Sequence, residues 1–405
     1  TACHPERWDN RPGNSGDDHV LRLSNPLSAS LTDMQSAPDT LLMPAKTLAL
    51  PGGIIRLLSE GAAFGRRCIL VHGRSLSRSG ALQMLLGAKP SNLRVALWEH
   101  DVGEPTLSQL STVLGFARGE GADWVASVGG GSVLDLGKAC AGLMCAPLPP
   151  VRYHDGAEVP VSRTPFLAVP TTAGTGSECT GVCVLTNEMT GVKKSFRHPS
   201  FMARVVILDA ELLATCPTSV VAFSGMDAYA QAVESYVSTG GTLQTDAWAM
   251  EALRLVDSTL ERVAGGEKGR AAEELLAGSN LAGLALANAR LGIVHGLAHP
   301  LGSRYHVAHG LACAMCLGPA LEFNREAMGD KYSRMSSIVG KDILQRVEEL
   351  LKRLGLRSPF VGTTLPDKEA VIAETLASGS TAANPRKVDR KDVEFLLDQL
   401  LGDDI

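Results

Sequence analysis

Residues 124–138 read WVASVGGGSVLDLGK, and this stretch decides the fold class. Its first five residues form a compact apolar run that is typical of a buried strand in a parallel sheet. Three glycines follow directly, and a helical pattern begins after them. Glycines let backbone amides approach a charged ligand closely, and a helix N-terminus adds partial positive charge. We therefore predict a pyrophosphate cradle that consists of Gly129, Gly130, Gly131, Ser132 and Asp135.

The segments before this stretch repeat the same arrangement. Apolar runs at 67–72 and 93–98 indicate further strands, and residues 107–118 have a helical pattern. Strands that alternate with helices at this interval predict right-handed βαβ units and a doubly wound parallel sheet. The glycine triplet matches neither a Walker loop nor the GxGxxG fingerprint, and alone it could be an ordinary tight turn. Its place at the carboxyl end of a predicted strand favours a ligand site.

A second loop of this kind follows the apolar run at 166–170. Residues 171–178 read TTAGTGSE and offer hydroxyl groups for hydrogen bonds to phosphate, ribose or a nicotinamide amide. A solvated loop is the simpler interpretation, but two such loops at strand ends reinforce each other. We expect the second loop to contribute Thr171, Thr172 and Thr175 to the same cofactor site.

The amino-acid composition limits the classes to which the protein can belong. The chain has 405 residues, a hydrophobic fraction of 45% and a net charge of −5, enough for two domains with a core each. Scattered basic residues argue against nucleic-acid binding, and the lack of a long apolar run or signal peptide predicts a cytoplasmic protein with no membrane partner. The nine cysteines lack disulfide-framework spacing. We interpret Cys313 and Cys316 as small buried hydrophobes on a helix.

The second half of the chain has a different character, because helical patterns replace strands from about residue 211. The predicted helices span residues 219–238, 246–264, 271–289, 311–323, 343–354, 368–377 and 390–401. We therefore predict a flexible N-terminal extension over 1–44, a dinucleotide-binding α/β domain over 45–215 and a helical metal and substrate domain over 216–405.

The helical half contains a dense histidine cluster in the sequence LGIVHGLAHPLGSRYHVAHG. His295 and His299 leave one face of a helix, and Gly302 is expected to let the chain bend before His309. Imidazole is a common metal ligand that titrates near neutrality, so convergent histidines predict a metal and proton-transfer site. The metalloprotease signature is excluded, because Gly296 stands where its general-base glutamate would be.

An earlier helical stretch adds Asp227 and Gln231, which lie one turn apart on one face. Burial of a bare carboxylate is costly, so Asp227 needs a partner or a metal. A helix cap or an arginine is the simplest alternative partner.

Taken in order, these motifs resemble a known family. They are GGGS at 129–132, PTTAGTGSE at 170–178, GMDA at 225–228, HGLAHPLG at 295–302, HG at 309–310 and NPR at 384–386. Over about residues 45–401 the chain resembles the iron-containing (group III) alcohol dehydrogenase family. The resemblance implies a Rossmann-like α/β N-terminal domain plus an all-helical, dehydroquinate synthase-like C-terminal domain. It also implies a nicotinamide cofactor and one divalent metal in the cleft between them.

The resemblance further implies roles for individual residues. Asp227, His295 and His309 would be metal ligands, and His299 would lie close to substrate and nicotinamide and relay a proton. The chain departs from the family at Gln231, where a histidine is usual. The site could then be Asp/Gln/His/His, three protein ligands plus water, or metal-free. We expect a retained Fe(II) or Zn(II) with Gln231 in the ligand set, since imidazole and carboxylate suit both ions.

Cofactor choice depends on the loop after the second strand. NAD-preferring members of the family tend to carry an acidic residue there, whereas this chain has Gly73, followed by Arg74 and Ser75. The guanidinium and hydroxyl groups favour NADP, with NAD as the alternative. Lys194 lies in a charged segment that approaches the cleft in this family, so we expect it near the cofactor phosphates or the substrate.

The predicted function is a metal-dependent, NAD(P)-linked alcohol dehydrogenase or aldehyde reductase that acts on a small aldehyde or alcohol. Reduction of an anionic aldehyde resembling phosphonoacetaldehyde is an alternative, as is a metal-free reductase of the maleylacetate type. A dehydroquinate-synthase-like lyase is a further alternative, but it requires a lysine- and arginine-rich phosphate site that the sequence does not contain. We expect a homodimer or a higher homo-oligomer.

Overall fold

The computed structural model describes residues 40–101 and 103–402. The predicted N-terminal extension therefore lies, up to residue 39, outside the described residues. From residue 40 onward the chain first contributes strands to a central sheet and then winds into helices.

The central sheet has six parallel strands in the order β1-β8-β5-β4-β2-β3 within the described residues. This confirms the predicted parallel sheet. The inner strands β4 and β5 are buried along their whole length, as expected for strands covered on both faces. The strands of this sheet are β1 Lys46–Ala49, β2 Arg67–Gly73, β3 Arg94–His100, β4 Trp124–Gly129, β5 Phe166–Pro170 and β8 Val205–Leu208.

Side chains that alternate along each strand form a separate apolar core on each face of the sheet. On β2, Leu70 packs into a core with α1 and α3, whereas Ile69 packs into the larger core with α4 and α5. Helices thus cover both faces, which is the doubly wound arrangement. The helices of this half are α1 Leu57–Gly61, α2 Arg74–Arg78, α3 Ala81–Gly87, α4 Leu107–Gly119, α5 Gly131–Leu143 and α6 Pro150–His154.

A β-hairpin, β6 Val182–Asn187 and β7 Val192–Arg197, interrupts the series of parallel strands. No strand was predicted here, because the lysines and arginine of β7 resemble a solvated loop. Pairing with β6 and burial of Phe196 determine the structure instead. Lys138, fully buried on α5, anchors the start of the hairpin by donating hydrogen bonds to the carbonyl of Val182 at 2.6 Å and the Thr180 hydroxyl at 3.0 Å.

The remaining chain is helical, as predicted, and α7 lies at its centre. This helix is apolar on nearly all sides and packs against α8, α9 and α11, which is typical of a core helix. The predicted boundary between the two domains at residues 215 and 216 stays a prediction. The helices are α7 Thr218–Val237, α8 Leu243–Ala264, α9 Arg270–Ala289, α10 Ile293–Tyr305, α11 His309–Met328, α12 Asp330–Val339, α13 Ile343–Arg353, α14 Lys368–Ala377 and α15 Arg390–Leu401.

In the part of the chain that the structure describes, no single helix is long and apolar enough to cross a membrane. The pair α9 and α10 reaches that length and composition only together, and the two helices meet at 104°.

Candidate active site

A pocket of about 290 Å³ lies at the carboxyl edge of the parallel sheet. It occupies the place where open α/β sheets bind ligands. Most of the residues predicted to bind the cofactor line it, namely Gly73, Arg74, Ser75, Gly130, Ser132, Thr171 and Thr172.

The glycine cradle is built by close contact between the two predicted loops. α5 begins at Gly131, and a Cβ added to that residue would lie 2.6 Å from the Thr175 methyl group. A Cβ on Gly129 would lie 2.5 Å from Val133. The amide of Thr171 also donates to the carbonyl of Gly129 at 3.0 Å. Glycine is therefore required here by packing as well as by any approach of a phosphate.

Asp135 on α5 stabilises the glycine cradle through contacts with the second loop and the hairpin. Its carboxylate accepts hydrogen bonds from the Ser177 hydroxyl at 2.5 Å and from the backbone amide of Val184 at 2.8 Å. The Lys138 ammonium lies 4.0 Å away. These contacts join α5 to the second loop and the hairpin, and they do not support the prediction that Asp135 contacts the cofactor.

Two acidic side chains lie close to the Arg74 guanidinium at the pocket. Its guanidinium lies 2.8 Å from Asp101 and 3.8 Å from Glu99, and all three side chains are substantially exposed. Ser77 donates a further hydrogen bond to Glu99 at 2.8 Å. The loop after β2, on which the NADP prediction rests, does not contain these acids, because they come from the end of the neighbouring strand β3.

The two halves of the molecule meet through backbone alone at one point. Gly176, in the second loop, has a φ of 59°, and a Cβ there would lie 2.4 Å from the Cα of Gly283 on α9. A Cβ on Gly283 would in turn lie 2.7 Å from the Cα of Gly176. No side chain fits between the cofactor loop and the helix.

Three helices bring the predicted metal residues together. α7 supplies Asp227, α10 supplies His295, and α11 supplies His309 and also Cys313. One ligand atom from each of these four side chains lies within 4.8 Å of the other three. The spacing and the mixture of carboxylate, imidazole and thiol suit one transition-metal ion.

His295 is held between two carboxylates. Its Nδ1 lies 2.6 Å from Glu234 and its Nε2 lies 3.2 Å from Asp227, with all three side chains buried. Glu234 also accepts a hydrogen bond from the amide of Val294 at 2.6 Å. Burial alone would lower the pKa of His295, but the acidic groups around it raise the pKa well above the usual value. Glu234 thus fixes the ring orientation and leaves Nε2 facing Asp227.

The Asp227 carboxylate is strongly held in its ionised form. Burial acts to raise its pKa, but the neighbouring His309 and the hydrogen bonds from His295 and Gln231 outweigh burial and lower the pKa to about 2. A carboxylate that remains ionised at neutral pH is ready to bind a cation.

The other two histidines stack on each other. The rings of His299 and His309 lie 5.0 Å apart with an angle of 13° between their planes. His299 is exposed, and its ring lies 6.1 Å from that of His295 as well as close to that of His309. Burial and the nearby His309 hold the pKa of His299 well below the usual value, and burial lowers the pKa of His309 to about 4. Both imidazoles are therefore neutral at neutral pH.

Gln231 lies beside this cluster, buried on α7. Its Oε1 accepts no hydrogen bond from any described residue, and it lies 3.7 Å from where a Gly176 Cβ would be. No donor among the described residues reaches this buried acceptor, so it is available to a water molecule or a bound group. The atom faces the cofactor loop.

The bend between the histidines differs from the prediction. Gly302 lies inside α10, which continues to Tyr305 through Pro300. The chain turns instead at His306, which adopts a left-handed conformation with a φ of 52° and is exposed. The turn therefore depends on a helix C-cap and not on the conformational freedom of the glycine.

Strand β7 of the hairpin directs Lys193 towards the site, whereas Lys194 was predicted there. Lys194 is exposed, and its Nζ lies 3.4 Å from the carbonyl of His154, so its contacts do not support the predicted role. Lys193, on the opposite side of the strand, pairs with Glu104 and helps to lower the pKa of His299 and His309. Strand alternation explains the difference, since neighbouring side chains face opposite ways.

Sequence reasoning missed two side chains at this site. Glu234 lies two helical turns after Asp227, so the 3.6-residue period could have placed both on one face. Cys313 lies one turn after His309 on α11, and the same period could have found it. The interpretation of Cys313 as a simple core residue was incomplete, because its sulfur lies 3.6 Å from Nε2 of His309.

Comparison with known proteins agrees with this geometry. Residues 44–210 match the family described as "Iron-containing alcohol dehydrogenase", and residues 221–401 match "Fe-containing alcohol dehydrogenase family, C-terminal". The chain belongs to the iron-containing alcohol dehydrogenase family. The family resemblance stated from the motifs is therefore confirmed.

Individual members of the iron-containing alcohol dehydrogenase family are similar over most of their length. The probable alcohol dehydrogenase EutG of Escherichia coli strain K12 is 32% identical, over 86% of this chain and 91% of EutG. A crystal structure of a 1,3-propanediol oxidoreductase has a TM-score of 0.84 at 29% identity and covers 89% of this chain and 99% of that one. Sulfoacetaldehyde reductase from Bifidobacterium kashiwanohense, solved with NAD+, has a TM-score of 0.83 at 25% identity and covers 90% and 99%.

Membership of this family confirms the predicted class of enzyme. The chain is an NAD(P)-dependent oxidoreductase of the alcohol dehydrogenase and aldehyde reductase type, with an α/β nucleotide-binding half and a helical half. Relatives are named both as NADPH-dependent and as NAD-dependent, so family membership alone does not select the nucleotide.

Proposed function

We propose that this enzyme reduces a small aldehyde with NADPH, or oxidises the corresponding alcohol with NADP, at an iron site held by Asp227, His295 and His309. The observation that carries the proposal is the convergence of these three side chains from three helices, within 4.8 Å of one another. The prediction that Gln231 is a metal ligand is not carried into this proposal, because its Oε1 faces the cofactor loop near Gly176.

The bound groups supply the two chemical functions that side chains lack. A divalent cation at this site polarises a carbonyl oxygen, and the nicotinamide ring carries the hydride. Asp227 supplies negative charge to hold the cation, and Glu234 keeps His295 oriented towards it. The glycine cradle holds the cofactor phosphates close to the helix N-terminus of α5.

His299 is the proposed proton carrier. His299 is exposed and stacks on His309, and its lowered pKa keeps it neutral, so it would be free to accept a proton from an alcohol at neutral pH. In the reducing direction the protonated ring would give that proton to the carbonyl oxygen. Alcohol and oxidised cofactor thus give aldehyde, reduced cofactor and one proton.

The direct test joins a metal assay to an activity screen. We expect about one iron per chain by mass spectrometry, and oxidation of NADPH by small aldehydes that is lost on chelation and restored by Fe(II). Full activity in protein without bound metal would overturn the proposal in favour of a metal-free reductase of the maleylacetate type.

The preference for NADP rests on Arg74, which lines the pocket. Its exposed pairs with Asp101 and Glu99 contribute little stability, so a 2′-phosphate can replace them. We expect Arg74→Ala to lower the ratio of kcat/KM for NADPH over NADH about tenfold, equivalent to 1.4 kcal/mol. Arg94→Ala, on the same sheet but outside the pocket lining, is the control. A wild-type enzyme that prefers NADH would show that Asp101 controls the site instead.

An aldehyde with an anionic group is a second candidate substrate, because Lys193 contributes positive charge close to His299 and His309. One similar solved structure is named a sulfoacetaldehyde reductase. We expect Lys193→Gln to lower kcat/KM for sulfonated or phosphonated acetaldehyde and to leave that for propanal nearly unchanged. The exposed Lys194→Gln is the matched control. Equal losses for both substrate classes would exclude charge recognition by Lys193.

The remaining predictions concern the location and the oligomeric state of the enzyme. The described cysteines form no disulfide, which supports the proposed cytoplasmic location. Assembly into a homodimer or higher homo-oligomer stays a prediction.

A further inference from the structure

We propose that Cys313 binds the metal as a thiolate and takes the coordination position that Gln231 leaves vacant, so that the ligands are Asp227, His295, His309 and Cys313. This inference rests on the proposed metal site and adds the identity of its fourth ligand. Its basis is the four-atom group in which the Cys313 sulfur lies within 4.8 Å of the three other ligand atoms.

The helix geometry supports this ligand set. His309 and Cys313 lie one turn apart on α11, so both side chains leave the same face of the helix. The Cys313 sulfur lies 3.6 Å from Nε2 of His309, a separation compatible with two ligands of one ion. Cys313 is fully buried, as are Asp227 and His295.

The position of Gln231 explains why a fourth ligand is needed. The Oε1 of Gln231 lies 3.7 Å from where a Cβ on Gly176 would be, so it faces the cofactor loop. We infer that an amide oriented this way does not present its oxygen to the ion. The sulfur of Cys313 is the fourth atom of the group that also contains ligand atoms of Asp227, His295 and His309.

Binding of the metal by Cys313 requires the thiol to lose its proton. A divalent cation binds the sulfur, the S–H bond breaks, and the proton leaves to solvent. Thiolate favours ions such as Fe(II), Zn(II) and Co(II) over Mg(II), and the added negative charge offsets the weaker ligand at residue 231.

Cobalt substitution tests the proposal without reference to turnover. Wild-type protein loaded with Co(II) is expected to show a near-ultraviolet thiolate-to-cobalt charge-transfer band that Cys313→Ser loses. Cys316→Ser, a buried cysteine on the same helix outside the four-atom group, is expected to keep the band. Gln231→Ala is also expected to keep it.

X-ray absorption of the zinc-loaded wild-type protein supplies a measurement that does not depend on any variant folding. A sulfur scatterer at about 2.3 Å would support the proposal. Metal bound with only nitrogen and oxygen scatterers, and no charge-transfer band, would overturn the assignment of Cys313 but leave the proposed function intact. Failure of the wild-type protein to bind Co(II) or Zn(II) at all would overturn both.

Discussion

The cofactor pocket and the histidine cluster are built in opposite ways. The glycine cradle beside the pocket is made of backbone, and its glycines are required because a single carbon added to Gly131 or Gly129 would collide with Thr175 or Val133. The cluster is made of side-chain atoms that reach a common point from α7, α10 and α11. A site made of backbone is damaged when atoms are added, whereas a site made of side chains is damaged when atoms are removed.

The largest effect is expected where a side chain of the cluster loses its charge. Asp227→Asn keeps the shape but removes the negative charge that holds both the cation and His295. We expect loss of bound metal and a fall in kcat of roughly 10³-fold or more, the scale on which loss of preorganised charge acts. Metal analysis and steady-state kinetics measure both effects. The matched variant Asp257→Asn, a half-buried carboxylate paired with Arg346, should retain its metal. An active, metal-loaded Asp227→Asn enzyme would contradict the assigned role.

The metal-free cluster should also make stability depend on pH. Burial lowers the folded pKa of His309 to about 4 from the usual 6.5, so between these values the unfolded chain binds the proton first. The free energy of unfolding therefore falls as pH drops from 6.5 to 4, by at most about 3 kcal/mol. Denaturant titration of metal-free wild type against His309→Asn isolates this contribution. An unchanged difference between the two proteins across the window would show that His309 titrates normally.

Glu234 provides a smaller test, because it acts through His295. Glu234→Gln keeps the size of the side chain but removes the charge that faces Nδ1 at 2.6 Å. We expect metal affinity to fall roughly 10- to 100-fold, as is usual when a carboxylate behind a ligating histidine is lost. Competition with a chromogenic chelator measures the affinity. Glu251→Gln, an exposed residue on α8, should bind metal as the wild type does.

The smallest effect is expected in the cofactor cradle, where a single methyl group is added. Gly131→Ala places its Cβ against the Thr175 side chain, so we expect the KM for the cofactor to rise about tenfold while bound metal is unchanged. Thr175→Ala removes the colliding methyl and hydroxyl groups, and the double variant should recover part of the loss. Additive losses in the two variants would show that this contact does not control cofactor binding.

The same difference in construction explains how much the sequence could predict. The cradle and the strand before it are contiguous over 124–138, so composition and order were sufficient to find them. Asp227 and the histidines were found because each lies in a recognisable local motif. The helical period could have placed Glu234 and Cys313 on the same faces as Asp227 and His309, but their presence at the site also depends on which helices pack together.

The hairpin and the turn after α10 show the limits of local chemistry more directly. The charged residues of β7 suggested a solvated loop, because the sequence alone does not show that this strand pairs with β6. Gly302 was expected to bend the chain because glycine is flexible, but the helix continues through it and ends at a residue with a side chain. Conformational freedom permits a bend without requiring one.

The contact between Gly176 and Gly283 has a consequence for how precisely the enzyme can align its reactants. Hydride transfer depends on the distance between the nicotinamide carbon and the carbonyl carbon, and a displacement of about 1 Å can cost two orders of magnitude in rate. Gly176 in the predicted cofactor loop and Gly283 on α9 pack main chain against main chain, and main chains have no rotamers to adjust. We therefore expect this contact to limit how closely the two halves can approach, so that the enzyme would accommodate substrates of different size through side chains elsewhere in the cleft.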